Sequence, residues 1–476
     1  MKRLPNRILS GSNLYVILSI AFLLFSHGFC AEGVFNVKDY GAKGDGKTGD
    51  TAAINRAIEA CGSGGGRVEF PPGRYLSGTL KLRSNMTLFF ESGARLVGTT
   101  NLDEYYHPSP PDYMPEAKWG KWHRGLIVGE NVENVTIEGE GVIDGNKVFD
   151  PTGEERMRGP HTIVFVNCKN FTIRNVSIVD SANYAVFFQV SDDVEIENVT
   201  IKGGWDGVHF RGAEKRYCKN VRIVNCRMFT GDDSIAGRYW ENVLISGCIL
   251  NSSCNGIRII GPVRSVIIQN CLMYGPGVYP HRTSNRYNML AGINLQPGAW
   301  DPTSGLTDDV LISDITMRNV ATPFHFSMKK GNTANRIIVE RANATGVYRA
   351  AASVESWAES PFTNVVFRDV TIEYSGGVAQ EPKTLAVKSP GVDARALPVW
   401  GFYGRNVERL RFDNVRLRCE KTDLRPAILL EKIGGVWVEN LSFDRFAEVE
   451  KSVIMTNVLE VNYLTSEKAV EKQFKQ

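Results

Sequence analysis

The sequence predicts an all-β fold, a single-stranded right-handed parallel β-helix with an N-terminal capping helix. Three observations predict it. First, one short phrase recurs along the chain: Asn134-Val-Thr-Ile, Asn170-Phe-Thr-Ile, Asp193-Val-Glu-Ile, Asn220-Val-Arg-Ile, Asn242-Val-Leu-Ile and Ser265-Val-Ile-Ile. Second, the copies starting at 170, 193, 220, 242 and 265 lie 23, 27, 22 and 23 residues apart, which is a solenoid spacing. Third, apolar β-branched residues alternate with polar ones inside each copy, as strands with one buried face require, and helical periodicity is missing. The leucine-asparagine signature of a leucine-rich horseshoe is absent.

Taken in order, Lys2, Arg3 and Arg7 precede an apolar run from Leu14 to Phe25, so residues 1–31 read as a signal peptide. The run is short for a membrane span, and no later segment is apolar enough to cross a bilayer. The expected product is secreted or periplasmic, with no membrane partner. A short strand over 34–42 follows. Asp50 then caps a helix near 50–61 whose apolar face is Ala53, Ile54, Ala57 and Ile58. One helix before a long β region suits a lid over the open end of a solenoid core. Gly64, Gly65 and Gly66 precede a strand, so they form a turn and not a phosphate cradle.

The repeat phrase continues at Asp309, Asn335, Asn364, Asn406 and, weakly, Gly435. Because each coil buries its face only against its neighbours, residues 32–450 make one domain, with a tail at 451–476. Cys226, Cys248 and Cys271 share one repeat position and predict a buried stack of small side chains. Three intervals exceed a repeat and carry loops. Residues 101–124 hold Tyr105, Tyr106, Tyr113, Trp119 and Trp122. Residues 275–304 hold Tyr279, His281, Arg282, Arg286, Tyr287 and Trp300, and residues 376–404 hold Trp400, Phe402 and Tyr403. Aromatics on such loops suit the flat faces of sugar rings.

The balance of 55 basic against 52 acidic residues leaves a formal charge of +3, which is no nucleic-acid footprint. No cysteine pair has metal-ligand spacing, and neither a metal nor a cofactor is expected. The chain reads as a monomer whose partner is a polysaccharide or oligosaccharide substrate.

That partner follows from Asp206, Asp232 and Asp233. They lie in consecutive repeats, 26 and 27 residues apart, so stacking brings three carboxylates into one patch. A lone Asp in such a fold is a turn former; three across adjoining coils are a candidate catalytic group. Paired carboxylates divide glycosidic hydrolysis, one giving a proton to the leaving oxygen and the other drawing one from water. A separation of about 6.5–9.5 Å leaves room for that water and inverts the anomeric centre.

At these residues the chain resembles glycoside hydrolase family 28, the polygalacturonase and rhamnogalacturonase group, over most of residues 33 to 445. The stretch from Phe35 to Cys61 and the phrase Gly139 to Gly145 look like its bacterial members. The family carries Asn-Thr-Asp-Gly, Gly-Asp-Asp, Gly-His-Gly and Arg-Ile-Lys on successive coils. Here Asp206-Gly207 ends the first motif, with Gly204 and Trp205 replacing Asn and Thr, and Gly231-Asp232-Asp233 matches the second fully. The resemblance implies that Asp232 is the general acid and that Asp206 and Asp233 activate water. Asn255 stands in place of the histidine, and Asn294-Leu295-Gln296 in place of Arg-Ile-Lys, which the family uses to hold the substrate's carboxylate.

Strand alternation suggests replacements. With Ile257 and Ile259 inward, Arg258 points out; with Val208 and Phe210 inward, so do His209 and Arg211. Arg258, His209 and Arg211 become candidate contacts to an acidic sugar, and Asn255, Asn294 and Gln296 to neutral hydroxyls. Two rivals share the architecture: a calcium-dependent polysaccharide lyase using Asp232, Asp233 and Arg258, and a non-catalytic carbohydrate-binding solenoid.

Overall fold

In the computed structural model the repeats wind into a right-handed helix of parallel strands, each coil giving strands to three ladders. The structure describes residues 33–62, 64–111, 113–114 and 123–464; the expected signal peptide, Trp119 and Trp122 lie outside them. The described residues belong to one unit, Gly33–Gln476.

The ladder that bears on function contains β1 His161–Val166, β2 Val186–Gln189, β3 Val208–Arg211, β4 Ile235–Arg238, β5 Asn255–Ile259, β6 Ala291–Leu295, β7 Phe324–Met328 and β8 Ala352–Ser356. Val186, Val208, Ile235, Ile257, Ile293 and Phe324 pair in register and point inward, all buried. Each such side chain contributes about 1.5–3 kcal/mol of apolar burial. The intervening residues form an outer row, His209, Ala236, Arg258, Asn294, His325 and Ser353, one coil step of about 4.8 Å apart.

The first residue of the repeated phrase is the corner. Asn134, Asn170, Asp193, Asn220, Asn242, Ser265, Asp309 and Asn406 all have φ between 50° and 57°, the left-handed region that asparagine and aspartate tolerate best after glycine. Their side chains also bond along the axis: Asn170 Nδ2 donates to Asn134 Oδ1 at 2.7 Å, and Asn220 Nδ2 to Asp193 Oδ1 at 2.8 Å. Cys226, Cys248 and Cys271 are buried one above another, as their spacing predicts.

The helix α1 covers Thr51–Gly62 and buries Ala53, Ile54, Ala57 and Ile58. The expected side-chain cap by Asp50 is corrected. Its carboxylate accepts from the Lys43 and Gly44 backbone N–H groups at 2.7 and 3.0 Å, while its carbonyl accepts from Ile54 to start the helix. Asp50 therefore ties the preceding turn to the helix. The tail expected from 451 is corrected as well. Val453–Tyr463 is a strand, paired in parallel with Ile428–Phe443, so the solenoid continues past 450. Its weak phrase at Gly435 hides the last coils from a repeat count.

Of the loop aromatics, Trp400, Phe402, Tyr403 and Tyr105 pack in the protein, whereas Tyr113, Tyr287 and Trp300 are exposed. Among the described residues no helix is long and apolar enough to cross a membrane.

Candidate active site

The three acids sit where the chain turns into the site ladder. Asp206 precedes β3, and Asp232 and Asp233 precede β4. Backbone bonds lock the two turns together: Gly207 N–H donates to the Asp233 carbonyl at 3.0 Å, and Asp232 N–H to the Trp205 carbonyl at 3.4 Å. All three carboxylates are brought into one pit, with Asp206 3% exposed, Asp232 8% and Asp233 4%. Burying charge at that depth demands partners, and each acid has its own.

Asp206 accepts from His209 Nδ1 at 2.6 Å, and His209 Nε2 accepts from Arg211 Nε at 2.7 Å. Burial, reinforced by Arg211 and Arg238, holds the His209 pKa well below its ordinary value, so the ring is neutral. With Nε2 an acceptor, its proton is on Nδ1 and points at Asp206. Arg211 also reaches Tyr184 Oη at 3.3 Å.

Asp233 accepts from the Asn255 backbone N–H at 3.0 Å and from Asn255 Nδ2 at 2.7 Å, and faces Arg258 Nη1 at 3.4 Å. Asn255, Asn294 and Gln296, expected to meet neutral hydroxyls, are each 0% exposed and bonded inside the protein. Asn294 Nδ2 donates to Asn255 Oδ1 at 3.3 Å, and Gln296 Oε1 accepts from Arg258 Nη2 at 3.1 Å. Arg258 does face the acids, as alternation predicts, but as the counter-ion of Asp233. It stacks 5.3 Å from the ring of Trp300, the exposed aromatic at the site.

Asp232 receives two residues that its own strand does not supply. Arg158 Nη2 lies 3.3 Å from Asp232 Oδ2, donates to Glu155 at 2.8 Å, and stacks 3.7 Å over Trp205. Trp205 thus supplies a flat shelf for a guanidinium. His281 Nε2 stands 3.7 Å from Asp232 Oδ1, held from behind by Thr283 and Ser284 on Nδ1 at 3.1 Å. The 275–304 loop thus brings an imidazole to Asp232. The repeat count does not single out Arg158. A signal was present, however: the 36 residues between Asn134 and Asn170 exceed one repeat and imply an excursion there.

These partners pull the carboxyls apart. Burial first, then the charges of Asp232 and Asp233, push Asp206 well above the ordinary carboxylate range. Burial also raises Asp233, with the Asp232 charge adding to it and Arg258 opposing. Burial would raise Asp232 too, but Arg158, then His281 and Arg258, outweigh it and hold the group below its ordinary value. Three carboxylates facing two arginines and two histidines that burial keeps neutral leave one excess negative charge, which one proton among the three neutralises.

Asp232, Asp233 and Cys254 each place one atom within 4.8 Å of the others, a spacing that could hold a cation. Their chemistry does not fit one. Arg158 and Arg258 already occupy the two carboxylates, and burial keeps the Cys254 thiol protonated, whereas a metal needs the thiolate.

Comparison with known proteins bears on the chain's kinship. Residues 34–258 match the family described as rhamnogalacturonase A/epimerase, pectate lyase-like. A probable polygalacturonase of Vitis vinifera is 26% identical over 375 residues, covering 73% of this chain and 75% of that one. An endo-polygalacturonase of Pectobacterium carotovorum is 24% identical over 350 residues, 69% of this chain and 79% of that one. The solved structure of an exopolygalacturonase from Thermotoga maritima superimposes with a TM-score of 0.59 at 20% identity, covering 81% of this chain and 91% of that one, a likeness of fold. The shared fold, the matched segment and these relatives together support a kinship with the polygalacturonase-like glycoside hydrolases of family 28.

Proposed function

We propose that the protein is an exported, metal-independent, inverting glycoside hydrolase that cuts a pectin-like polysaccharide. The observation that carries this reading is the buried trio Asp206, Asp232 and Asp233, from adjoining coils, with burial and neighbours driving their pKa values in opposite directions. Water adds to the anomeric carbon as the bond to the leaving sugar oxygen breaks. One carboxyl gives its proton to that oxygen, and a carboxylate takes one from the water.

The family pattern makes Asp232 the donor, with Asp206 and Asp233 on the water side. In the ligand-free site Arg158 keeps Asp232 ionised, so this assignment requires substrate to draw Arg158 away. An acidic sugar does that directly, because its carboxylate competes for the same guanidinium. Arg158 and Arg258 therefore favour an anionic substrate even though the family's Arg-Ile-Lys is replaced. The signal-peptide pattern at 1–31 supports export. A calcium-dependent lyase is disfavoured because Arg258, its candidate base, is the counter-ion of Asp233.

The test is release of reducing ends from homogalacturonan, rhamnogalacturonan and neutral glycans by the wild type and by Asp206→Asn, Asp232→Asn and Asp233→Asn. Release by the wild type with loss in all three variants supports the reading. Glycan binding without any product from the wild type would establish the non-catalytic solenoid instead.

A further inference from the structure

A polymer lying along the solenoid crosses successive coils about 4.8 Å apart, and an internal cut needs several coils bare on both sides of the acids. Neither side is bare. Toward the N-terminus, the outward Val164, Val166 and Phe187 of β1 and β2 are buried against Tyr106, Met114 and Met157, which come from two excursions of the chain. Toward the C-terminus, the segment 377–401 lies as a strap over β5 to β8.

The strap is tied down coil by coil. The Val392 carbonyl accepts from Arg258 Nη2 and from Gln296 Nε2, both at 2.8 Å. Lys329, next to β7, donates from Nζ to Ser389 Oγ and to the Pro390 carbonyl. Arg395 grips Glu355 of β8 with two bonds of 2.8 and 2.7 Å, and Glu355 is 0% exposed. Beyond that clasp, Leu397 and Val399 pack with Tyr403 and Leu429. The polar outer row that would otherwise extend the cleft, Gln296 to Glu355, is thus spent on holding the strap. What remains over the acids is a pit of about 40 Å³. Trp300, 48% exposed, stands at its mouth.

We infer that the site takes a chain end: the terminal sugar of an anionic glycan seats at the mouth of the pit against Trp300, and the strap 388–395 is the wall that forbids a threaded polymer. The hydrolysis of the proposed function then removes a fixed unit from the chain terminus, water adding across that one glycosidic bond and leaving the chain shorter by the unit released. This rests on the glycosidase reading for its chemistry but on shape alone for its end-selectivity.

A reducing-end-labelled galacturonate pentamer and two homogalacturonans of different length test it. The wild type should release one product size from the first minutes, with slow loss of viscosity. Arg395→Met, which frees the clasp while the N-terminal wall stays in place, should add longer released units to the single wild-type size. Early mixed fragments from the wild type, or the single wild-type product size from a folded Arg395→Met, would overturn the inference. Should no substrate be cut, the glycosidase reading fails separately, and binding to Asp232→Asn decides the shape claim. Capacity per gram of polymer should double when chain length is halved; capacity independent of length, or no binding, overturns it.

Discussion

Arg395→Met tests how the strap is held, because Glu355 beneath it carries a large and assignable electrostatic load. Burial would push the Glu355 carboxyl up, but the two bonds from Arg395, with His325 adding to them, bring it from an ordinary 4.5 down to about 2. That difference of about 2.5 units corresponds to about 3 kcal/mol. The folded pKa is depressed, so this stabilisation is present above pH 4.5 and lost as pH falls through the window from 4.5 to 2. Removing the guanidinium leaves a buried carboxyl whose desolvation is opposed only by His325, so its folded pKa moves up. The gap in stability between wild type and Arg395→Met should therefore be largest near pH 7 and shrink by about 3 kcal/mol on acidification to pH 2.5. Hydrogen exchange of the 388–397 amides reads this best, since a solenoid opens in local units that a single unfolding midpoint would average. A gap of equal size at both pH values would refute the assignment of Arg395 as the group that keeps Glu355 ionised.

Further expectations concern the pit. Asp232→Asn and Asp233→Asn should each lower kcat by about 10²–10⁴-fold with unchanged circular dichroism, as loss of an acid or base predicts. Arg158→Met removes the charge that keeps Asp232 ionised. Asp232 then holds its proton to higher pH, and the basic limb of the kcat/KM profile should move up by about 1–3 units; a profile fixed in place would show that Asp232 is not the donor. Trp300→Ala should raise KM by about 2–10-fold with kcat little changed if the ring stacks on the entering sugar. Extensive dialysis against EDTA should leave the rate unchanged, measured with and without added calcium.

The architecture was legible because a parallel solenoid writes itself into sequence at a fixed interval. Each corner asparagine announces a residue that takes a positive φ, and the inward Val and Ile announce the ladder. Consecutive copies also carried Asp206, Asp232 and Asp233 into register, so their meeting followed from counting. What counting could not reach comes from residues outside the period. Arg158 and His281 lie on excursions whose return path is set by tertiary packing, Arg158 by its stack on Trp205 and His281 by its bonds to Thr283 and Ser284. Alternation correctly turned Arg258, Asn294 and Gln296 outward. It could not show that outward here means underneath another segment, because the 376–404 interval reveals excess length without revealing which coils it crosses. Asp50 failed as a side-chain cap for a related reason: the Lys43 and Gly44 N–H groups, brought close by the turn, compete for the same carboxylate.

Direct displacement by water at three coil-stacked carboxylates leaves its record in the configuration of the product. Following the anomeric proton of the first product by NMR, with the wild-type enzyme and an α-linked galacturonate oligomer, tests it most directly. The account predicts that the β-anomer appears first and only later equilibrates. First release of the α-anomer, or an unsaturated product in place of a hydrated one, would contradict it.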